Sequence, residues 1–130
     1  MTDTPEPYEI LAVFLSGVPH ESVIAGQTVD PALSQRSPFK STLNRILYNA
    51  SNFHNVLKNL DFSFAGYSPK IEPACRELLE KKALIQGKGD SYRITQKLYD
   101  LALDARPKFG GSDYTALINL GREKARLLAL

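Results

Sequence analysis

The strongest hydrophobic pattern in the chain runs from Phe39 to Leu60. Phe39, Leu43, Ile46, Leu47, Ala50, Phe53, Leu57 and Leu60 recur at steps of three or four, with Ile46 and Leu47 adjacent. That spacing keeps one face of a 3.6-residue helix apolar. It predicts a helix of about 22 residues, roughly 33 Å long, with Ser51 and Asn52 as the place where it would break. Its outward face reads Lys40, Asn44, Arg45, Asn49, His54, Asn55 and Lys58, with no acid before Asp61. Earlier in the chain, Tyr8 to Leu15 (YEILAVFL) is almost wholly apolar and short, so periodicity alone does not separate a buried helix from a buried strand. Gly17 and Pro19 close it. From Ser16 to Pro38 the pattern is broken by Pro19, Gly26, Pro31 and Pro38. There Val23 and Ile24 read as a helical turn, and Asp30 before Pro31 as the cap of another.

A second unit, Tyr67 to Thr95, has a signal at each boundary. Ser68–Pro69 is a helix start: the hydroxyl can accept from an unpaired backbone N–H, and proline suits the first turn. Ile71, Ala74, Cys75, Leu78 and Leu79 follow at helical spacing; Pro73 costs a backbone hydrogen bond unless the regular helix begins near Glu72, so the spacing leaves that boundary open. Leu84 to Gln86 reads as a strand, Gly87 to Asp90 (GKGD) as a hairpin turn, and Ser91 to Thr95 as the returning strand. Helical spacing returns at Leu98, Leu101, Ala102 and Ala105. Arg106 to Gly111 (RPKFGG) is a hinge-like break. Beyond it, Ser112 caps a last helix to Leu130 with Tyr114, Leu117, Ile118, Gly121, Ala125 and Leu128 on one stripe. That stripe must be buried, either on the chain's own core or against a second copy.

The order helix, "L-I", glycine turn, "Y-R-I-T", helix resembles the recognition helix, wing and following helix of winged helix-turn-helix domains. The phrase "F-S-F-A-G-Y-S-P-K-I-E" is similar to one found in small prokaryotic winged-helix proteins. The resemblance covers about a third of the chain closely, and it makes Tyr8–Leu15 the first helix. It implies a mainly α fold with a small β-hairpin wing, that is, a winged helix-turn-helix with an added C-terminal helix. Residues 1–7 are then a disordered lead-in, 8–106 the winged domain, 107–111 a hinge and 112–130 a terminal amphipathic helix. It also implies Arg76, Glu77, Glu80 and Lys81 on the outward face of the recognition helix, Lys88 at the wing tip and Arg93 on the returning strand.

Composition narrows this further. At 130 residues, 43% hydrophobic and 23% charged, the chain is one ordinary globular domain in size and make-up. Its net charge is only +2, but residues 1–35 carry five acids and no Lys or Arg, while residues 36–130 carry sixteen bases against nine acids. Such asymmetry points to an acid-facing surface, or to an acidic start that neutralises basic helices beside it. The single cysteine, Cys75, excludes an internal disulfide and sits on an apolar face, where it reads as a small buried hydrophobe. The acidic, proline-bearing start is unlike a secretory signal, and no apolar run approaches the roughly 18 residues that span a bilayer. A soluble cytoplasmic protein without membrane contact is expected.

No catalytic constellation is legible. The only histidines are His20 and His54, which with one cysteine make no zinc set. GKGD lacks the glycine spacing and K-[ST] ending of a phosphate loop, and no G-x-S-x-G elbow occurs. No cofactor or metal is expected, and the chain reads as a non-enzymatic regulator that binds double-stranded DNA. The expected contacts are Arg76, Lys81, Lys88 and Arg93, with Lys40 and Arg45 on the phosphate backbone. By analogy with dimeric regulators, Tyr114, Leu117 and Leu128 form a homodimer interface. The recognition helix carries three bases against three acids, Lys70, Arg76 and Lys81 against Glu72, Glu77 and Glu80. The alternative is therefore a winged-helix protein-interaction module, such as a partner subunit in a defence or toxin–antitoxin system.

Overall fold

The computed structural model describes residues 4–18, 23–25, 38–63, 66–86 and 91–128; of 23–25, 38–41, 91 and 126–128 it describes the backbone alone. The apolar run near the start is helix α1, Pro7–Leu15. Ile10 to Leu15 are each without exposed surface, so this helix is hydrophobic all round because it is surrounded on all sides. Proline stands in its first turn, and Glu6 and Glu9 form a capping box, the Glu6 N–H donating to Glu9 Oε1 at 2.9 Å. Residues 4–6, expected in a loose lead-in, thus include this cap, while residues 1–3 lie outside the described part.

Strand β1, Val23–Ala25, replaces the helical turn expected at Val23 and Ile24. Three residues carry no period of their own. Their conformation is set by pairing with a strand almost seventy residues later, which satisfies their backbone groups. The Asp30 cap lies outside the described residues.

Helix α2 spans Pro38–Ala50, and the long predicted helix does break at Ser51 and Asn52. Ser51 Oγ donates to Tyr48 O at 2.6 Å, and the chain continues as a 3-10 helix, Asn55–Leu60. A serine hydroxyl bonded back to a carbonyl of the preceding turn is one way a helix yields to another conformation. Val56, Leu57 and Leu60 remain buried after the break. Phe53 does not: it is 85% exposed, although its spacing put it on the core stripe.

Helix α3 is Ile71–Glu80, with Ile71, Ala74, Cys75 and Leu78 buried. Pro73 is its third residue, where the missing N–H has no intrahelical acceptor to lose. Ser68 is buried and knits the approach: its hydroxyl donates to Leu60 O and accepts from the Lys70 N–H at 3.2 Å, and its own N–H donates to Asn44 Oδ1 at 2.8 Å. Asn44, expected on an outward face, therefore ties α2 to the start of α3. The end of α3 is a Schellman motif, with Ala83 N–H donating to Leu78 O, Lys82 N–H to Leu79 O, and Lys82 at φ 62°.

Strands β2, Leu84–Gln86, and β3, Ser91–Ile94, form an antiparallel hairpin whose tip, residues 87–90, lies outside the described part. β3 is central in a three-stranded sheet of order β1-β3-β2, with Val23 and Ile85 flanking Arg93. Leu84, Tyr92 and Ile94 face the core; Ile85 and Arg93 face outward. Helix α4, Gln96–Ala105, leads through a 3-10 turn, Arg106–Lys108, into helix α5, Gly111–Leu128. The molecule is thus mainly helical with a small antiparallel sheet, and α1 is the axis on which α3, α4 and α5 pack.

Candidate nucleic-acid interface

The residues expected to meet DNA fall into three neighbourhoods. On α3, Arg76 is exposed and lies 4.0 Å from Glu72; Lys81 lies 3.7 Å from Glu77 and 5.1 Å from the centre of the Tyr8 ring. Lys70 pairs with Asp61 at 2.6 Å. Lys70, Arg76 and Lys81 therefore each have an acid beside them. The pairs of Arg76 and Lys81 are exposed i,i+4 contacts, each worth a few tenths of a kcal/mol, so neither cation is firmly committed. Tyr8 has its phenol pushed above the ordinary range, first by burial and then by the neighbouring Glu9 carboxylate. It is a neutral ring under Lys81 at any ordinary pH.

On the sheet, Arg93 is exposed on the central strand opposite Ile85, itself half exposed. Lys88 lies outside the described residues. Two antiparallel neighbours hold Arg93's backbone, so its position is set by the sheet and only its side chain is free to sweep.

The third neighbourhood belongs to α2. Lys40 lies in its first turn, where the backbone alone is described. Arg45 is exposed and borders a groove between the end of α2 and α5, together with Asn49, Phe53 and Lys124. Neither Phe53 nor Lys124 stood among the expected contacts. Phe53's spacing pointed inward, and Lys124 is distant in sequence; the weak signal was the Ser51–Asn52 break immediately before Phe53.

The residues expected at a dimer interface are placed differently. Leu117 is fully enclosed in the chain's own core. Tyr114 is partly buried, its hydroxyl donating to Ala102 O at 3.2 Å and its ring edge-on to Phe109. Burial raises the Tyr114 phenol, an effect that nearby Arg106 partly opposes. The side chain of Leu128 lies outside the described part. Of the two partners open to this stripe, its described portion has taken the chain's own core.

What holds α5 there is an approach of bare backbone. A Cβ on Gly121 would stand 1.8 Å from Phe14 O, and one on Gly17 would stand 2.1 Å from Ile118 O. The stretch 107–111, read as a hinge, is also anchored: Phe109 is buried, and Lys108 Nζ reaches the buried Glu9 carboxylate at 3.0 Å. That hydrogen bond raises the Lys108 ammonium above its usual range. Among the described residues, no group of three His, Cys, Asp or Glu could hold a metal ion, and no helix is long and apolar enough to cross a membrane. Cys75 is buried without exposed surface.

No protein-family model matches this chain, and neither curated proteins nor solved structures give a match.

Proposed function

We propose that this chain is a winged helix-turn-helix protein of the cytoplasm that binds double-stranded DNA as a non-enzymatic transcriptional regulator. The observation that supports it most is the order α1-β1-α2-α3-β2-β3 with β1 hydrogen-bonded to β3. In that arrangement α3 is the recognition helix, braced on the hairpin that follows it, and β2–β3 is the wing. Arg76, Lys81, Lys88 and Arg93 contact phosphate, and Lys40 and Arg45 extend the contact along α2. The exposed pairs on α3 open at little cost when a phosphate replaces the carboxylate.

The test is a fluorescence-anisotropy titration with mixed-sequence duplex DNA at about 50 and 200 mM salt. Six neutralised phosphates correspond to roughly a thousandfold loss of affinity over that range. A flat salt response, or no binding at the lower salt, would sink the reading.

One observation favours a second reading, a protein-interaction module on the same scaffold. Acids alternate with bases along the outer face of α3, and Ile85 and Tyr67 present about half of their surface to solvent nearby in sequence. If this is the working surface, Ile85→Asp abolishes capture of a protein partner while duplex binding is absent in both forms.

A further inference from the structure

The groove between the end of α2 and α5 has a volume of about 370 Å³, within the range of small-molecule sites. Its floor is apolar: Ile46, Ala50 and Leu120 are each more than nine-tenths buried. Its rim carries Arg45, Asn49, Phe53 and Lys124. Three features of that rim point to one ligand chemistry.

First, Phe53 is 85% exposed at the groove's edge. The break at Ser51 turns it away from the core stripe that its spacing would join. An uncovered phenyl ring beside cations is a stacking platform for a planar aromatic group. Second, the local field is positive. From Pro38 to Leu60 the chain carries no acid, and among the described residues no acid pairs with Arg45. The groove's one acid, Glu123, is well exposed and lies 3.8 Å from Lys124, a loose pair that an incoming anion can replace. Third, Asn49 is exposed on the same groove and offers a donor and an acceptor together, the pairing that suits the edge of a base.

We infer that this groove binds a nucleotide, with the base stacked on Phe53 and met by Asn49 and the phosphate held by Arg45 and Lys124. The site is built from α2, the turn that follows it and α5, and does not depend on α3 or the wing, so it stands apart from the duplex surface except for Arg45. The same chemistry is offered by a free nucleotide and by one nucleotide of a single strand.

The experiment is isothermal titration of the full chain with adenosine 5′-monophosphate and, separately, with a single-stranded hexadeoxyadenylate, repeated for Phe53→Ala, Arg45→Gln and Arg93→Glu. Phe53 and Arg45 are exposed, so their variants should fold, which circular dichroism checks. Binding of the mononucleotide that weakens at least tenfold in Phe53→Ala and in Arg45→Gln, but not in Arg93→Glu, supports a free nucleotide as occupant. Binding of the hexanucleotide alone, with the same pattern of losses, supports a single strand. No binding of either probe, or binding that Phe53→Ala leaves unchanged, overturns the proposal. A 20-base-pair duplex as third probe keeps the readings apart: its binding depends on Arg93 and not on Phe53.

Discussion

The crossing of α1 with α5 and the outward faces of α2 and α3 are built by opposite rules. At the crossing, Gly17 and Gly121 remove side chains so that two backbones touch, and Phe14 and Leu117, about one turn before each glycine, are fully buried. On the outer face of α3 the long polar side chains are held by little more than exposed ion pairs, and on α2 Arg45 and Asn49 are exposed. The first region has no slack, and the second is almost all slack. Substitutions in one should therefore change stability, and in the other binding, with little crossover.

The sharpest way to break that contrast is Gly121→Ala. The added methyl would meet the Phe14 carbonyl, a backbone atom that cannot rotate aside, so α5 must shift along its length. A loss of about 3 kcal/mol is expected, the upper end of ordinary overpacking. Gly111→Ala is the control: nothing lies within 4 Å of its Cβ, and alanine is the better helix former. Urea unfolding of the two variants decides it. If Gly121→Ala is as stable as Gly111→Ala, the glycine crossing does not hold α5.

High pH should loosen the same scaffold from its other end. Lys108, Tyr8 and Tyr114 each bind a proton more tightly in the folded chain, the lysine through its bond to Glu9 and the tyrosines chiefly through burial. Groups whose folded pKa is raised contribute stability that is complete below the unfolded value and is lost as pH rises through the folded one. The unfolded values are 10.0 for tyrosine and 10.5 for lysine, so the decline begins near pH 10 and steepens above it. Urea midpoints between pH 8 and 11 measure it, and Lys108→Met should make the decline shallower. A midpoint unchanged at pH 11 would show that neither the Lys108–Glu9 bond nor the two tyrosines contribute.

Legibility followed the same division. Helices α3 and α4 and the β2–β3 hairpin were readable because period and turn signals lie within each segment, as the apolar positions of α3 show; the start was misread, since α3 begins at Ile71 with Lys70 as its cap and Ser68 bonds the approach instead. Strand β1 was not, since its partner Tyr92 is 68 positions beyond Ile24. Phe53 misled because a regular helix was extrapolated through a break whose consequence for side-chain direction is three-dimensional. Gly121 was seen as one position of a stripe, and nothing in spacing says that its missing side chain is the contact. Of the candidate contacts, the identity of the cations was legible; their acidic neighbours at i−4 were legible too, and these decide how freely the cations act.

Glu77, with exposed Glu80 close to it on α3, offers a smaller perturbation confined to the outer face. Glu77→Gln with Glu80→Gln removes two negative charges from α3 without touching its buried side. For a phosphate about 10 Å away each removal is worth roughly 0.4 kcal/mol in water, about halved by screening at 50 mM salt, so duplex affinity there should rise about twofold while the unfolding midpoint barely moves. Affinity that is unchanged, or lower, would place the DNA elsewhere than on α3.

A comparably small effect belongs to the seam between the two regions. Lys82 closes α3 in the left-handed conformation, φ 62°, a place where most helices use glycine and where a side chain crowds the following carbonyl. Lys82→Gly relieves that strain but adds freedom to the unfolded chain, and the two partly cancel. A net gain of about 0.5 kcal/mol is expected. Because Lys82 is exposed and is not itself a proposed contact, duplex binding should fall no more than the loss of one charge next to Lys81 requires. A destabilised variant would instead mean that the stem of Lys82 packs on the surface it covers, so that the seam belongs to the scaffold.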